Sequence, residues 1–364
     1  MSERVIVAMS GGVDSSVAAA RLLAAGHDVV GVTLHLWDYP DDGSVKSRCC
    51  APEDIHDARR VADHLGFPHY AFDRRELFQS EVVAPFVDSY LSGETPSPCV
   101  RCNRGVKSRE LFTLRARLGA AKVATGHYAR ITRQGERCEL RRGRDRSKDQ
   151  SYFLHMLEQS ELSQLIFPLG DADKAEVRAE AQRLALPGAN KGESQELCFV
   201  SKGRYDAFVA ERAGERVRPG PIVDDQGREL GRHQGIHGFT LGQRRNLGVA
   251  VGERAYVVGV EPETGTVRLG RKERLLAGAA LLGDVTLAEG VTLPFECDVE
   301  VRYRGTPHRG RVVRSNGQIR VDFAAPVSAV VKGQYAVFYE GDRVLGGGVI
   351  EGNVTAPATE ELRP

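Results

Sequence analysis

The sequence predicts an α/β fold with a doubly wound parallel sheet, followed by a small central domain and a C-terminal antiparallel β-barrel. In the first part of the chain, short apolar segments alternate with helical segments, which is typical of a parallel sheet with crossover helices. Beyond Leu275 helical patterns disappear and alternating strands take over. A chain of 364 residues exceeds what one hydrophobic core usually supports. We therefore expect domains at residues 1–205, 206–272 and 273–357.

The first domain is predicted from apolar runs and helix boundary signals. Gly26 and Gly66 follow the two helical segments as stops, and Pro52 precedes the second. The predicted elements are, in order, a strand Val5–Met9, a helix Ser15–Ala25, a strand Val29–Leu36, a helix Glu53–Leu65, and strands His69–Phe72 and Lys122–Thr125. Parallel strands end at one edge of a sheet, so a ligand is expected at their carboxyl ends.

The C-terminal domain is predicted from alternation and turn signals. Asn316-Gly317 is a strong hairpin turn, and Gly341-Asp342 is a weaker one. The predicted strands are Phe295–Arg304, Gly310–Arg314, Gln318–Phe323, Tyr335–Tyr339 and Val344–Ile350. A small barrel closes so many short strands without leaving exposed edges.

Composition indicates a soluble globular protein, with 41% hydrophobic and 27% charged residues. The start of the sequence lacks a cleavable export signal, and nowhere do about 18 apolar residues run together, as a membrane span requires. These observations predict a cytoplasmic protein that is not in a membrane. In that setting its seven cysteines are better read as thiols, metal ligands or catalytic groups than as a disulfide scaffold.

The formal net charge is only +1, so affinity for nucleic acid must come from local basic segments. Residues 130–148 carry eight Arg and Lys against three acids. Residues 301–320 carry six arginines and no acid, together with Tyr303 and His308. Basic residues spaced among aromatic ones suit phosphates and unstacked bases. A solvated charged face is an equally good interpretation of either segment alone.

The most informative stretch is Val5–Ser16, in which a short apolar strand runs into two glycines, an aspartate and serines at the start of the first helix. Gly11 and Gly12 allow a tight turn that brings backbone N–H groups against phosphate oxygens, and the serines add hydroxyl donors. The helix that follows directs its positive end at the same anion. The spacing matches neither the Walker motif nor the dinucleotide fingerprint. The alternative is a strand-to-helix turn without a ligand. SGGVDSS resembles the signature of the PP-loop ATP pyrophosphatases.

Three cysteines are notable by context. Cys99 and Cys102 form a C-x-x-C motif beside two prolines that favour an extended loop, and Cys198 lies in ELCFV. SGGVDSS, TPSPCVRCN, ATGHYAR, KDQSYFL, ELCFV and HGFTLGQRRNLGV occur in the order found in the tRNA-specific 2-thiouridylases. The chain resembles that family over nearly its entire length.

This resemblance implies that ATP adenylates the C2 oxygen of the wobble uridine of tRNA and that sulfur then displaces AMP. Asp14 would orient Mg²⁺ or the attacking group. Leu34 is nearly as well explained by a core role. The positions implied to bind ATP are Ala8, Met9, Ser10, Gly11, Gly12, Val13, Asp14, Ser15, Leu34 and Gly126.

The resemblance also implies that Cys102 is the nucleophile and that Cys198 carries persulfide sulfur from a donor protein, so that the two end as a disulfide. Arg101 and Arg104 would favour the Cys102 thiolate if they lie close. Many family members have Asn-Pro-Asp where this chain has Ser97-Pro98-Cys99.

The substitution by Cys99 leaves a second mechanism open. Cys99, Cys102 and Cys198 could hold three irons of a [4Fe–4S] cluster whose fourth iron binds hydrosulfide. A zinc site is a lesser alternative, because the ligand set is short of four. For the other cysteines we expect packing or loop roles: Cys49, Cys50, Cys138 and Cys297.

By resemblance, the tRNA partner is held through its anticodon arm. Ser97, Pro98 and Cys99 align with the target-base region, and His127 with a position near that base. His127 could instead be a buried, hydrogen-bonded histidine. The remaining positions aligned with tRNA contacts are Lys148, Asp149, Gln150, Arg302, Tyr303 and Gln334.

Two other functions fit parts of the sequence. A PP-loop ligase that adenylates a small carboxylate would leave the cysteine motifs and the basic barrel unexplained. A non-catalytic RNA-binding iron–sulfur protein would bind ATP without turning it over. Release of AMP that depends on tRNA would exclude the second.

Overall fold

A computed structural model describes residues 2–38, 52–192, 197–200, 204–250, 252 and 254–356. The chain divides into two compact units. The first unit comprises Met1–Val83, Cys99–Arg204 and Asp342–Val344, and the second comprises Ala84–Pro98, Tyr205–Gly341 and Leu345–Pro364. Within the described residues, no helix is long and apolar enough to cross a lipid bilayer.

The α-helices, in chain order, are α1 Val13–Ala24, α2 Pro52–Leu65, α3 Arg75–Phe78, α4 Ala84–Leu91, α5 Pro98–Arg101, α6 Arg109–Arg117, α7 Gln159–Leu162, α8 Lys174–Arg183 and α9 Tyr205–Ala213. The strands up to residue 166 are β1 Arg4–Ala8, β2 Asp28–His35, β3 His69–Asp73, β4 Lys122–Thr125, β5 Ala129–Gln134, β6 Arg137–Arg142 and β7 Leu165–Ile166. The later strands are β8 Gly220–Val223, β9 Glu229–His233, β10 Tyr256–Glu261, β11 Thr266–Gly270, β12 Leu276–Leu287, β13 Phe295–Glu300, β14 His308–Ser315, β15 Gln318–Ser328, β16 Tyr335–Glu340 and β17 Arg343–Thr355.

The first unit is built on a parallel sheet with the strand order β3-β2-β1-β4-β7. Val5, Ile6 and Val7 are all fully buried, because helices cover both faces of the sheet. Val5 and Val7 belong to a core with Ala19 of α1 and Val61 of α2. The predicted parallel sheet is confirmed, and its carboxyl edge carries the turn between β1 and α1.

Two π-helical segments interrupt the helices of the first unit, Gln79–Val83 and Cys102–Ser108. They contact each other. A π turn inserts extra backbone into a helix and is common at functional sites. The C-x-x-C motif thus begins a helix, although the nearby prolines favoured an extended loop. Pro98 fits the first helical position, because the N–H that proline lacks would have no intrahelical partner there.

The second unit contains a four-stranded sheet, β10-β11-β8-β9, and a six-stranded barrel. The barrel order is β12-β15-β14-β13-β16-β17, and β17 pairs back with β12 to close it. Its interior includes Val299, Val312, Val321 and Phe338. Cys297 also lies in this interior, in the packing role expected for it. The predicted antiparallel barrel is confirmed.

Candidate active site

The turn between β1 and α1 is held by close backbone packing. Gly11 has φ +66°, a left-handed conformation that favours glycine. A Cβ at Gly11 would lie 2.5 Å from the carbonyl oxygen of Asp54. A Cβ at Gly126 would lie 2.9 Å from the backbone nitrogen of Ser15. The turn therefore fits against two neighbouring segments only because both positions lack a side chain.

The serine hydroxyls of the turn are engaged within it. Ser15 Oγ accepts from the backbone N–H of Ser10 at 3.2 Å and donates to the carbonyl of Gly12 at 3.0 Å. Ser16 Oγ donates to the same carbonyl at 2.9 Å. Ser15 and Ser16 are buried. The hydroxyls thus fix the turn, while the N–H groups of the first helical turn have no intrahelical partner and remain for an anion.

Asp14, in the first turn of α1, is bound by two side chains that are distant in sequence. Lys174 Nζ, at the start of α8, lies 2.6 and 2.7 Å from its two carboxylate oxygens. Tyr128 Oη donates to Asp14 Oδ1 at 2.8 Å. The Lys174 ammonium also lies 5.6 Å from the centre of the Tyr128 ring. Sequence reasoning missed Lys174, because the helix that carries it is 160 residues from Asp14.

The end of β4 places His127 close to this turn. Thr125 Oγ1 lies 2.7 Å from His127 Nδ1. Burial, to which the charge of Lys107 adds, lowers the pKa of His127 to about 3. The ring is therefore neutral at pH 7 and can exchange hydrogen bonds with a base without carrying charge.

The predicted ATP positions on the sheet are mostly buried. Met9 is buried, and its carbonyl accepts from Thr33 Oγ1 at 2.9 Å. Leu34 is 7% exposed in β2, where it pairs in register with Phe72. Ala8 ends β1 in register with Thr125 of β4. The turn thus lies at the carboxyl edge of the sheet, as the sequence predicted.

Cys102 is the first residue of the second π-helical segment. The side chain is 5% exposed, and burial raises the pKa of its thiol, while the charge of Lys107 acts in the opposite direction. The cation that favours the thiolate is thus Lys107, whereas the sequence suggested Arg101 and Arg104. Because Lys107 also acts on His127, Cys102 and His127 share one charged neighbour.

Cys198 is partly exposed, and an aromatic cluster holds the residue next to it. The ring of Phe199 lies 5.6 Å from that of Phe78 and 6.1 Å from that of Trp37, centre to centre. Trp37 follows β2 by two residues. The cluster thus brings the Cys198 segment to the β2 end of the sheet edge on which the glycine turn lies.

The three thiols of the possible iron–sulfur site do not form a ligand set. Within the described residues, no group of three or more His, Cys, Asp or Glu is arranged to hold a metal ion. Cys99 is exposed and Cys102 is buried. We therefore derive no step through a cluster or a zinc ion. Cys49 and Cys50 lie outside the described residues.

The predicted tRNA segment 148–150 supports the site from within the protein. Asp149 is buried and accepts from Gly143 N and Ser151 N. Gln150 Oε1 accepts from Tyr128 N at 3.0 Å. Gln150 therefore positions the residue that binds Asp14. Lys148 is partly exposed.

Arginines of the basic segment 130–148 are largely neutralised by acids of the first unit. Arg130 binds Asp342 at 2.7 Å, and Arg142 binds the buried Asp149 at 3.0 Å. Further pairs of this segment are Arg130–Asp171, Arg137–Glu139, Arg141–Glu139, Arg144–Asp173, Arg144–Glu176 and Arg146–Asp342. The local excess of positive charge in the sequence thus overstates the charge that this segment presents.

In the second unit, the barrel residues 332–334 hold the segment that precedes the C-x-x-C motif. Gln334 Nε2 donates to the carbonyl of Thr95 at 2.8 Å, and Thr95 N donates to the carbonyl of Lys332 at 2.9 Å. Lys332 also pairs with Glu94 at 3.0 Å. We call Glu94, Thr95 and residues 332–334 the barrel clamp. Gln334, predicted to contact tRNA, here positions the chain leading to Ser97 and Pro98.

Arg302 and Tyr303 lie in the loop between β13 and β14. Arg302 and Arg304 are exposed, and the Arg304 guanidinium lies 5.2 Å from the centre of the Tyr303 ring. A cation beside an aromatic ring suits both phosphates and bases. On β14, by contrast, Arg309 pairs with Glu296 at 3.2 Å. The loop thus exposes two arginines, one of which lies against an aromatic ring.

Comparison with known proteins accounts for all three parts of the chain. Three family models match: a tRNA methyl transferase HUP domain at residues 3–202, a tRNA methyl transferase PRC-barrel domain at 206–271 and an aminomethyltransferase beta-barrel domain at 284–350. The tRNA-specific 2-thiouridylase MnmA of Sorangium cellulosum (strain So ce56) is 60% identical over 361 residues, covering 98% of this chain and 94% of the relative. The chain belongs to the tRNA-specific 2-thiouridylase family.

Other 2-thiouridylases match over similar lengths. The MnmA of Heliobacterium modesticaldum (strain ATCC 51547 / Ice1) is 43% identical, covering 100% of this chain and 96% of the relative. Among solved structures, a 4-thiouridine synthetase–RNA complex with bound ATP has 16% identity and a TM-score of 0.34, covering 59% of this chain and 51% of that one. The full-length matches to 2-thiouridylases confirm the family resemblance found in the sequence motifs.

Proposed function

We propose that this protein uses ATP to convert the C2 oxygen of the wobble uridine of tRNA into sulfur. The observation that carries the proposal is the glycine turn at the start of α1, closed by Gly11 and Gly126 and flanked by the Asp14–Lys174 pair. Full-length similarity to 2-thiouridylases supports the tRNA substrate. A cytoplasmic location and an anticodon-arm contact are part of this proposal.

The first step is adenylation. The C2 oxygen attacks the α-phosphorus of ATP, and pyrophosphate leaves. The N–H groups at the start of α1 bind the phosphates, and Lys174, which lies beside Asp14 in the first turn of that helix, stabilises the charge that develops between them. Mg²⁺ usually binds one or two carboxylates together with substrate phosphates, and Asp14 is the carboxylate that would hold it. Bound Mg²⁺ would neutralise phosphate charge and leave Lys174 available for the leaving pyrophosphate.

The second step is sulfur transfer. We propose that a donor protein loads Cys198 with a persulfide. Its terminal sulfur attacks C2, and AMP leaves with the original oxygen. The Cys102 thiolate then attacks the Cys198 sulfur, which breaks the sulfur–sulfur bond, releases 2-thiouridine and forms a Cys102–Cys198 disulfide. An external thiol reductant must restore both thiols. Because Cys102 is buried with a raised pKa, its segment must open for this step.

The test uses unmodified tRNA, ATP, Mg²⁺ and a sulfur donor, with 2-thiouridine and AMP measured by mass spectrometry. Lys174→Met should lower the rate of AMP release about 100-fold or more, the usual effect of losing one group that stabilises developing charge. Lys122→Met is the matched control, because Lys122 begins β4, at the end of the strand away from Gly126 and the glycine turn. Failure of the intact protein to form either product would refute the proposed function.

A further inference from the structure

Two exposed arginines, Arg244 and Arg245, have no role in the function described so far. They lie in the HGFTLGQRRNLGV motif of the second unit, before β10. We call residues Gly242–Asn246 the arginine loop. Its backbone, its charge and its surroundings together indicate a binding surface.

The backbone of the arginine loop is fixed against β10. Gly242 N donates to the carbonyl of Val257 at 2.8 Å, and Val257 N donates to the carbonyl of Gln243 at 2.9 Å. The Gln243 side chain accepts from Thr240 N at 3.0 Å and donates to the carbonyl of Arg245 at 3.0 Å. The amide of Gln243 thus bonds on both sides of the loop and holds the arginines in place.

Both ends of the loop are also anchored by packing. Gly242 has φ +86°, and a Cβ there would lie 3.4 Å from the Cβ of Ala329. Leu247, directly after the loop, is 8% exposed in a core with Val257. Asn246 has φ +57°, a conformation that asparagine adopts more readily than most residues. The two arginines are exposed, with Asn246, on this anchored backbone.

Two other arginines of the four-stranded sheet and its turns are paired with acids. Arg228 binds Asp224 at 2.7 Å, and Arg268 binds Glu261 at 3.0 Å. Within the part of the chain that the structure describes, no carboxylate lies within ion-pairing distance of Arg244 or Arg245. Two adjacent guanidinium groups on a fixed backbone therefore present uncompensated charge and ten N–H donors of a geometry that suits phosphate oxygens.

We propose that the arginine loop binds the phosphodiester backbone of the tRNA substrate, which rests on the function proposed above. Interfaces with proteins depend on buried aromatic or aliphatic anchors. The exposed large hydrophobic residues of the described chain are Tyr70 and Val354, and neither lies in this loop. A contact made by charge alone is typical of a nucleic-acid backbone.

The test is the salt dependence of tRNA binding by the full chain. Each lost phosphate contact lowers the slope of log affinity against log salt by about 0.7–0.9. Arg244→Gln/Arg245→Gln should therefore lower the slope by about 1.5 and weaken binding about 30-fold near 0.1 M salt. Arg228→Gln, which removes an arginine already paired with Asp224, should keep the parent slope. Thermal unfolding and ATP binding of the double variant should match the parent.

An unchanged slope in the double variant would overturn the proposal. So would a variant that binds tRNA normally but loses thiolation only with a protein sulfur donor and not with inorganic sulfide, since that result would assign the loop to a protein partner. Failure of the proposed function would look different from failure of this inference. The intact protein would then form no 2-thiouridine, while the salt slopes of tRNA binding by the parent and the variants could still be compared.

Discussion

His127→Asn is expected to reduce the dependence of stability on pH below 6.5. The folded-state pKa of His127 is about 3, against an unperturbed 6.5, because the site disfavours the charged ring. Below pH 6.5 the unfolded chain therefore binds a proton that the folded chain does not. The stabilisation is fully present above pH 6.5 and is lost as the pH falls towards 3.

The size of this effect follows from linkage. At pH 5 the unfolded histidine is almost fully protonated while the folded one is not, which costs about 2 kcal/mol of unfolding free energy. Urea unfolding at pH 7.5 and pH 5 would show this difference in the parent and its loss in His127→Asn. Asparagine keeps a polar group near Thr125 Oγ1, the partner of His127 Nδ1.

The control is His56→Asn, which removes an exposed histidine and should retain the parent's pH dependence. Identical pH dependence in the parent and His127→Asn would refute the reasoning, since His127 would then protonate as readily in the folded protein as in the unfolded chain. A titration of the histidine ring signals would locate the same pKa directly.

Three further predictions concern the space around two glycines and the access of a reagent to two cysteines. Gly126→Ala places a Cβ 2.9 Å from the backbone of α1, so ATP affinity by calorimetry should fall and stability should drop by about 1–3 kcal/mol; unchanged values would contradict the packing. Gly333 has φ +90°, and a Cβ there would lie 3.0 Å from the carbonyl of Thr95, so Gly333→Ala should disturb the barrel clamp and lower thiolation while ATP binding stays intact. The control is Gly317→Ala, which strains an exposed glycine outside the clamp. Iodoacetamide should label exposed Cys99 well before buried Cys102, as peptide mass spectrometry would show, and equal rates would argue against the burial.

The local part of the site could be predicted from the sequence. The turn at Gly11 is defined by a strand, two glycines and a helix that follow one another in the sequence, so local sequence patterns are enough to predict it. Lys174 could not be found in this way, because its pairing with Asp14 depends on how α8 packs beside α1. The same limit applies to Arg130 and Arg146, whose acid, Asp342, is about 200 residues away.

The strands and helices also divide into those that local sequence predicts and those that depend on tertiary pairing. The hairpin at Asn316-Gly317 forms as predicted, with φ +50° and +82° at the two residues. Strand β12 was missed because its Ala- and Gly-rich sequence has low intrinsic strand preference, and pairing with β15 and β17 stabilises it instead. The π-helical segment at Cys102 carries no periodic signal and depends on tertiary packing.

That segment makes the orientation of Cys102 depend on the geometry of the helix that follows it. If Cys102–Ser108 adopted ordinary α geometry without losing a residue, everything ahead of the segment would turn by about 100° relative to α6. The Cys102 side chain would then face a different part of the protein. A relative that lacks one of these residues could keep the same direction at Cys102 with ordinary α geometry.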